Sequence, residues 1–433
     1  MEAVPRARPG RVRHGGGEEA GAGRPAGPGP GRLGGRGLGV PRPRPPGRLT
    51  AAVPGPRPSS PGAVVLWAAR RAAGHDAPPP AWRGDDGALR AAVAHHRAWL
   101  LLAAHGPDVP GVPGALLAEA WARRDRARRA QLQTDADLTV AGAALDAAGV
   151  RWACLKGPVL TAVHARAGAD RAALDLDLLV APDRLAAALD AFEGAGGAML
   201  TRNFALLRRE LPGEVAVRGR FGTVLDLHWT LVNRAGRRRR TTVSTTDLLD
   251  RASPVQLAGR PVPALQPDDA LVHVCLHAAL AGATRVSWLL DVTLSVQDRP
   301  VDWSRVVGTA RAWGVPAPVG LVLARAATLL AAPVPRSVLR RLAAPDWRLA
   351  ERWAGPRVLH STADLGSWPA RLAVGSAEHA TVPGLLTARA ARLVAGRPAA
   401  FVQGASAPGS ALHPAGDHAD LTAFLQTVAQ EAA

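Results

Sequence analysis

The stretch from Leu155 to Val180 limits what this chain can fold into more than any other. It opens with Lys156-Gly157-Pro158 and closes with Asp175-Leu176-Asp177 inside a run of leucines. In a strand, residues i and i+2 point the same way, about 7 Å apart, so the two carboxylates share one face. Burying them among Leu174, Leu176, Leu178 and Leu179 costs several kcal/mol per ion unless a cation compensates. A divalent metal is the simplest compensation, and an all-oxygen donor set suits a hard ion, Mg2+ or Mn2+. Upstream, Gly157 lets the backbone turn sharply, and a helix starting at Pro158 aims free amides and a positive dipole end at a phosphate. Strand, glycine turn, helix and a strand with Asp-x-Asp together make a phosphate-plus-metal arrangement.

Three motifs in order carry a resemblance. Leu155-Lys156-Gly157 is followed by Arg171 with Asp175, Asp177 and Leu178-Leu179-Val180, and then by Asp226-Leu227-His228-Trp229. This series resembles the bacterial uncharacterised nucleotidyltransferase family of the polymerase-beta-like superfamily. Trp288-Leu289-Leu290-Asp291 and Val301-Asp302-Trp303, after a His-bearing helix, extend the likeness over roughly residues 60 to 340. The resemblance implies an α+β fold: a polymerase-beta-like core, a small mixed sheet flanked by helices, between helical N-terminal and C-terminal regions. It implies Asp175, Asp177 and Asp226 as catalytic and metal-binding carboxylates, with Lys156, Gly157, Arg171 and His228 on the nucleotide. The chain departs from the superfamily in placing Lys156 where Gly-Ser is usual, while keeping the glycine.

The net charge of +18 is less telling than it looks. All but one of the 53 basic residues are arginine, and residues 1 to 60 alone supply a net +8. The balance left for the folded part is modestly basic, which permits an RNA or phosphate-rich partner without demanding one. The single lysine, Lys156, stands in a chain that uses arginine everywhere else, which marks a site suited to a compact ammonium rather than a planar fork. Cys154 and Cys275 lie in apolar stretches and give no disulfide framework, so a reduced, cytoplasmic setting is expected. No secretory leader and no membrane-spanning run is legible.

Five regions follow from the pattern. Residues 1–60, dense in Gly, Pro and Arg, bury too little to offset chain entropy and are expected to be disordered. Residues 61–149 form a helical N-terminal region, with helices over Ala63–Ala73, Asp85–Ala104 and Gly114–Ala148, the last bending near Thr134. Residues 150–235 hold the transferase core: strands at Val150–Leu155 and Ala173–Val180, helices at Pro158–Ala167 and Pro182–Gly194, and further strands at Ala198–Leu211 and Val215–Val232. Alternation through Val224, Asp226, His228 and Thr230 puts Asp226 and His228 on one face. Residues 236–340 read as a helical domain, and residues 341–433 as weakly patterned and partly helical.

Other features point less sharply. His228 and Trp229 are placed either against base or acceptor or packed under the sheet. His273 and His277, at i and i+4 around Cys275, have zinc-ligand spacing but no second ligand pair, so two satisfied structural histidines are expected. Arg237 to Arg240 reads as an exposed loop, with an RNA contact as its alternative. The expected activity is metal-dependent transfer of a nucleoside monophosphate from an NTP substrate to an acceptor, a small molecule, peptide or RNA, which the sequence does not name. The alternatives are a phosphotransferase of a natural-product or peptide-modifying pathway, and a catalytically silent RNA-binding scaffold of the same fold.

Overall fold

A computed structural model describes residues 60–164, 176–342 and 410–431. Arg171 and Asp175 lie outside the described residues, as do the expected tail at residues 1–59 and residues 343–409 of the C-terminal region. The centre of the described chain is a seven-stranded mixed sheet: β1 Trp152–Cys154, β2 Leu176–Val180, β3 Ala198–Met199, β4 Glu214–Arg218, β5 Val224–His228, β6 Ser253–Leu257 and β7 Arg260–Ala264. Its order is β3-β4-β5-β2-β1-β7-β6. The β2–β5 and β1–β7 pairs are parallel and the rest antiparallel. This is the α+β architecture expected from the sequence.

The two faces of the sheet have different neighbours. Leu176, Leu178 and Val180 point into a core shared with Leu185, Leu189, Leu207 and Phe424, which come from the helices Leu185–Gly194, Phe204–Glu210 and His418–Gln430. Ala153, Leu155 and Leu179 point the other way, into a larger helical core. That core joins the early helices Pro61–Ala72, Asp86–His95 and Trp99–His105 to the later helices Pro267–Leu280, Val286–Gln297, Trp303–Ala312 and Pro316–Leu330. Alternation along β2 makes this division: odd and even side chains go to opposite cores. One long helix, Gly114–Ala147, serves both, placing Leu116 and Ala120 in the helical core and Leu138, Ala141 and Leu145 in the sheet core.

Several local expectations are corrected. Residues 198–211 are not one strand: after β3, Asn203 accepts from the Leu206 amide and starts the helix Phe204–Glu210. A side-chain cap of this kind satisfies an amide that has no partner within the helix, and Leu207 turns to the buried face at helical spacing. Residues 215–232 are two strands, because the chain reverses at Gly222 with φ +97°. The buried carboxylate of Asp137, from the long helix, accepts the amides of Phe221 and Thr223 at 2.9 Å each and fixes that turn. The hairpin β6–β7 lies where only helices were expected. Pro254, Pro261 and Pro263 disguise its alternation, and they are tolerated because β6 is an edge strand and β7 meets β1 only at Cys154↔Ala264. Residues 85–104 form two helices, broken at Arg97 with φ +52°.

Candidate active site

The parallel pairing of β2 and β5 sets Asp177 directly across from Asp226. Partners in a parallel ladder point to the same side, so the two carboxylates stand together on the face that looks toward the helical body. Two residues further along β5, His228 shares that face and reaches diagonally to Asp177.

Asp177 is 3% exposed and paired at both oxygens. Its Oδ1 meets His228 Nε2 at 2.9 Å, and its Oδ2 meets Lys156 Nζ at 3.3 Å. Burial opposes the charge of this carboxyl, but Lys156 and then His228 hold it below the usual carboxylate range. His228 answers in the opposite sense. Burial by itself depresses it, yet the hydrogen bond to Asp177 and the nearby Glu214 raise it above the ordinary imidazole value. Glu214, opposite His228 across the β4–β5 ladder, lies 3.3 Å from Nδ1. The imidazole therefore sits between two carboxylates, pointing inward rather than toward open space. Trp229 also packs, donating from Nε1 to the Pro212 carbonyl under the guanidinium of Arg238.

Lys156 is placed by the turn it belongs to. β1 ends at Cys154, the Leu155 amide donates to the Asp177 carbonyl, and Gly157 takes φ +40°, a left-handed setting that glycine adopts without strain. The following helix is Gly157–Val163, and the end expected for it at Ala167 lies outside the described residues. The ammonium of Lys156 is also 3.2 Å from His277 Nδ1. Beside that cation, and buried, His277 is pushed well below the ordinary imidazole value. One turn earlier on the helix Pro267–Leu280, His273 is 4% exposed and burial lowers it to about 3.

These two histidines revise the expectation of a satisfied structural pair. His277 faces Lys156, and both ring nitrogens of His273 are buried without a hydrogen-bond partner. The i, i+4 spacing announced a shared face, but no motif announced what that face would meet. Glu214 had no signal at all, since its role depends on strand register. The arginine run is also corrected: Arg238, in a short helix over Ala235–Arg238, is not a loop residue but donates to the carbonyls of Leu211 and Asn233 at 2.7 Å.

Asp177 and Asp226 supply hard oxygen donors that fit Mg2+ or Mn2+ in kind. Among the described residues no group of three or more His, Cys, Asp or Glu side chains is arranged to hold a metal. The third carboxylate of the sequence motif, Asp175, lies outside them. Nitrogens of the protein itself, from Lys156 and His228, meet both oxygens of Asp177.

Residues 84–331 match the protein family described as uncharacterised nucleotidyltransferase. No curated protein matches the chain. Among solved structures, the solution structure of the antibiotic-resistance factor ANT(2'')-Ia is similar at 17% identity over 46% of this chain and 89% of that one, with a TM-score of 0.25.

Proposed function

Because the chain belongs to the uncharacterised nucleotidyltransferase family, we propose that it transfers a nucleoside monophosphate from an NTP to an acceptor hydroxyl at the face bearing Asp177 and Asp226. The observation that carries this reading is the register of β2 and β5, which sets two acids side by side where Lys156 also reaches. A buried acid beside a half-buried one is costly to keep, and transfer of a charged phosphoryl group gives the pair a use.

In the proposed reaction the acceptor oxygen bonds to the α-phosphorus, the bridging bond to the β-phosphate breaks, and pyrophosphate leaves. Asp226, half-buried at the middle of its strand, takes the acceptor proton. Lys156 and Arg171 bind phosphate oxygens, and the left-handed turn at Gly157 brings the backbone close to them. Asp175, Asp177 and Asp226 would hold Mg2+ or Mn2+. When bound, such an ion neutralises charge on the transferring group and orients it. His228, clamped between Asp177 and Glu214, keeps the Asp177 carboxylate ionised and fixed.

Calorimetric titration of ATP, GTP, CTP and UTP with magnesium tests this. The parent protein binds at least one of them, and Asp177→Asn and Asp226→Asn, both still folded by circular dichroism, bind it more weakly. Equal nucleotide and magnesium affinity in both variants contradicts the assignment.

A further inference from the structure

Lys156 does more in this structure than wait for a phosphate. It is 3.3 Å from Asp177 Oδ2, while His228 holds Oδ1, so both oxygens of a buried carboxylate are already met by nitrogen. A divalent ion taking Oδ2 would stand beside the ammonium, and two positive charges a few ångströms apart in a partly dry site repel strongly. Metal and lysine therefore compete for one oxygen.

The ammonium has somewhere to go. His277 Nδ1, already at 3.2 Å, accepts from it and remains when Asp177 is given up. Lys156 also lines a crevice of about 50 Å³, together with His273, His164 and Ser295. His273 brings ring nitrogens that have no hydrogen-bond partner. What draws the lysine off Asp177 must carry more negative charge than one carboxylate, and a triphosphate does.

We propose that Lys156 is the displaceable resident counter-ion of Asp177, so that divalent metal binds this carboxylate only when a nucleoside triphosphate has drawn the ammonium away. The inference rests on the nucleotidyltransferase reading of the site and adds an order to it: nucleotide engages Lys156, and Asp177 then becomes available to metal. It also gives the two neutral imidazoles of the helix Pro267–Leu280 a use, as acceptors for a cation that changes partners.

The experiment uses the full-length chain and two readouts. Without nucleotide, Mn2+ binding is followed by electron paramagnetic resonance for the parent, Lys156→Met and Asp177→Asn. Lys156→Met is expected to bind Mn2+ at least ~10-fold more tightly than the parent, because a unit positive charge has left the site, and Asp177→Asn is expected to bind no better than the parent. The second readout needs no variant. Lys156 is the only lysine in the chain, so labelling lysine with 13C at Cε gives a single resonance. It is expected to stay in place with magnesium alone and to shift when magnesium is joined by the α,β-methylene analogue of a nucleotide the protein binds. Equal Mn2+ affinity in the parent and a folded Lys156→Met overturns the proposal. If that variant does not fold, a lysine resonance unmoved by analogue and magnesium overturns it. A parent that binds none of ATP, GTP, CTP and UTP removes the nucleotidyltransferase reading, and the coupling with it, whereas the Mn2+ comparison still decides whether Lys156 guards Asp177.

Discussion

Lys156 carries its positive charge in a form found nowhere else in a chain that otherwise relies on arginine. Between Asp177 and His277 there is room for a compact ammonium, and a guanidinium is wider and prefers two parallel acceptors. Lys156→Arg is expected to fold with an unchanged melting curve yet bind nucleotide at least ~10-fold more weakly, about 1.4 kcal/mol. Lys156→Ala is expected to lose more, and calorimetry on the three proteins measures both. His273 makes a separate prediction about pH. Its folded value is about 3 against an ordinary 6.5, so below pH 6.5 the unfolded chain binds a proton that the folded chain refuses. Stability is then full above pH 6.5 and falls as pH drops toward 3. His273→Leu removes this contribution, and its melting temperature is expected to fall less steeply than the parent's between pH 6.5 and 4. An identical slope in the two proteins contradicts the burial of a neutral imidazole there.

At the scale of elements, the site depends on a turn fixed from outside the sheet. Asp137 of the long helix accepts both amides of the β4–β5 turn, and truncating it leaves them without a partner. Asp137→Ala is expected to cost about 2–4 kcal/mol in urea unfolding, with Asp137→Asn recovering part of the loss. This contact also shows what the sequence withheld. The strands β1 and β2, the later helices and the sharing of a face by Asp226 and His228 were legible, because period-two and helical spacing are local signals. The hairpin β6–β7 was not, because its prolines hide the alternation, and the helix Phe204–Glu210 was not, because its cap at Asn203 is a single residue. At the site, Asp177, Asp226 and Lys156 stood out through motif and composition. Glu214, Asp137 and the neighbours of His273 and His277 depended on register and tertiary packing, which leave no pattern in a single chain. The C-terminal helix His418–Gln430 gave no chemical signal, yet it fills the sheet core with Phe424, fully buried. Phe424→Ala is expected to destabilise the protein by about 3–5 kcal/mol, read as a lowered midpoint of urea unfolding.

At the scale of the whole molecule, the carboxylate face of the sheet is roofed by helices drawn from both sides of it in sequence. The early and late helices share one core, and the long helix ties that core to the one beneath the sheet. Substituting Leu89 in the helical core or Leu145 in the sheet core by alanine is therefore expected to shift one common unfolding transition, followed by fluorescence and circular dichroism together. Separate transitions would show that the cores stand alone. Such coupling holds Lys156 between Asp177 and His277, far apart in the chain, and the chemistry we propose for that meeting point is transfer of a nucleoside monophosphate. The direct test is to incubate the purified full-length protein with magnesium, cell extract and each NTP labelled at either the α- or the γ-phosphate. The account predicts that α-label appears on an acceptor with release of pyrophosphate, and that Asp177→Asn and Asp226→Asn abolish it. Label passing from the γ-position would make the protein a phosphotransferase, and no transfer of either label would leave the fold a silent scaffold; either result contradicts the account.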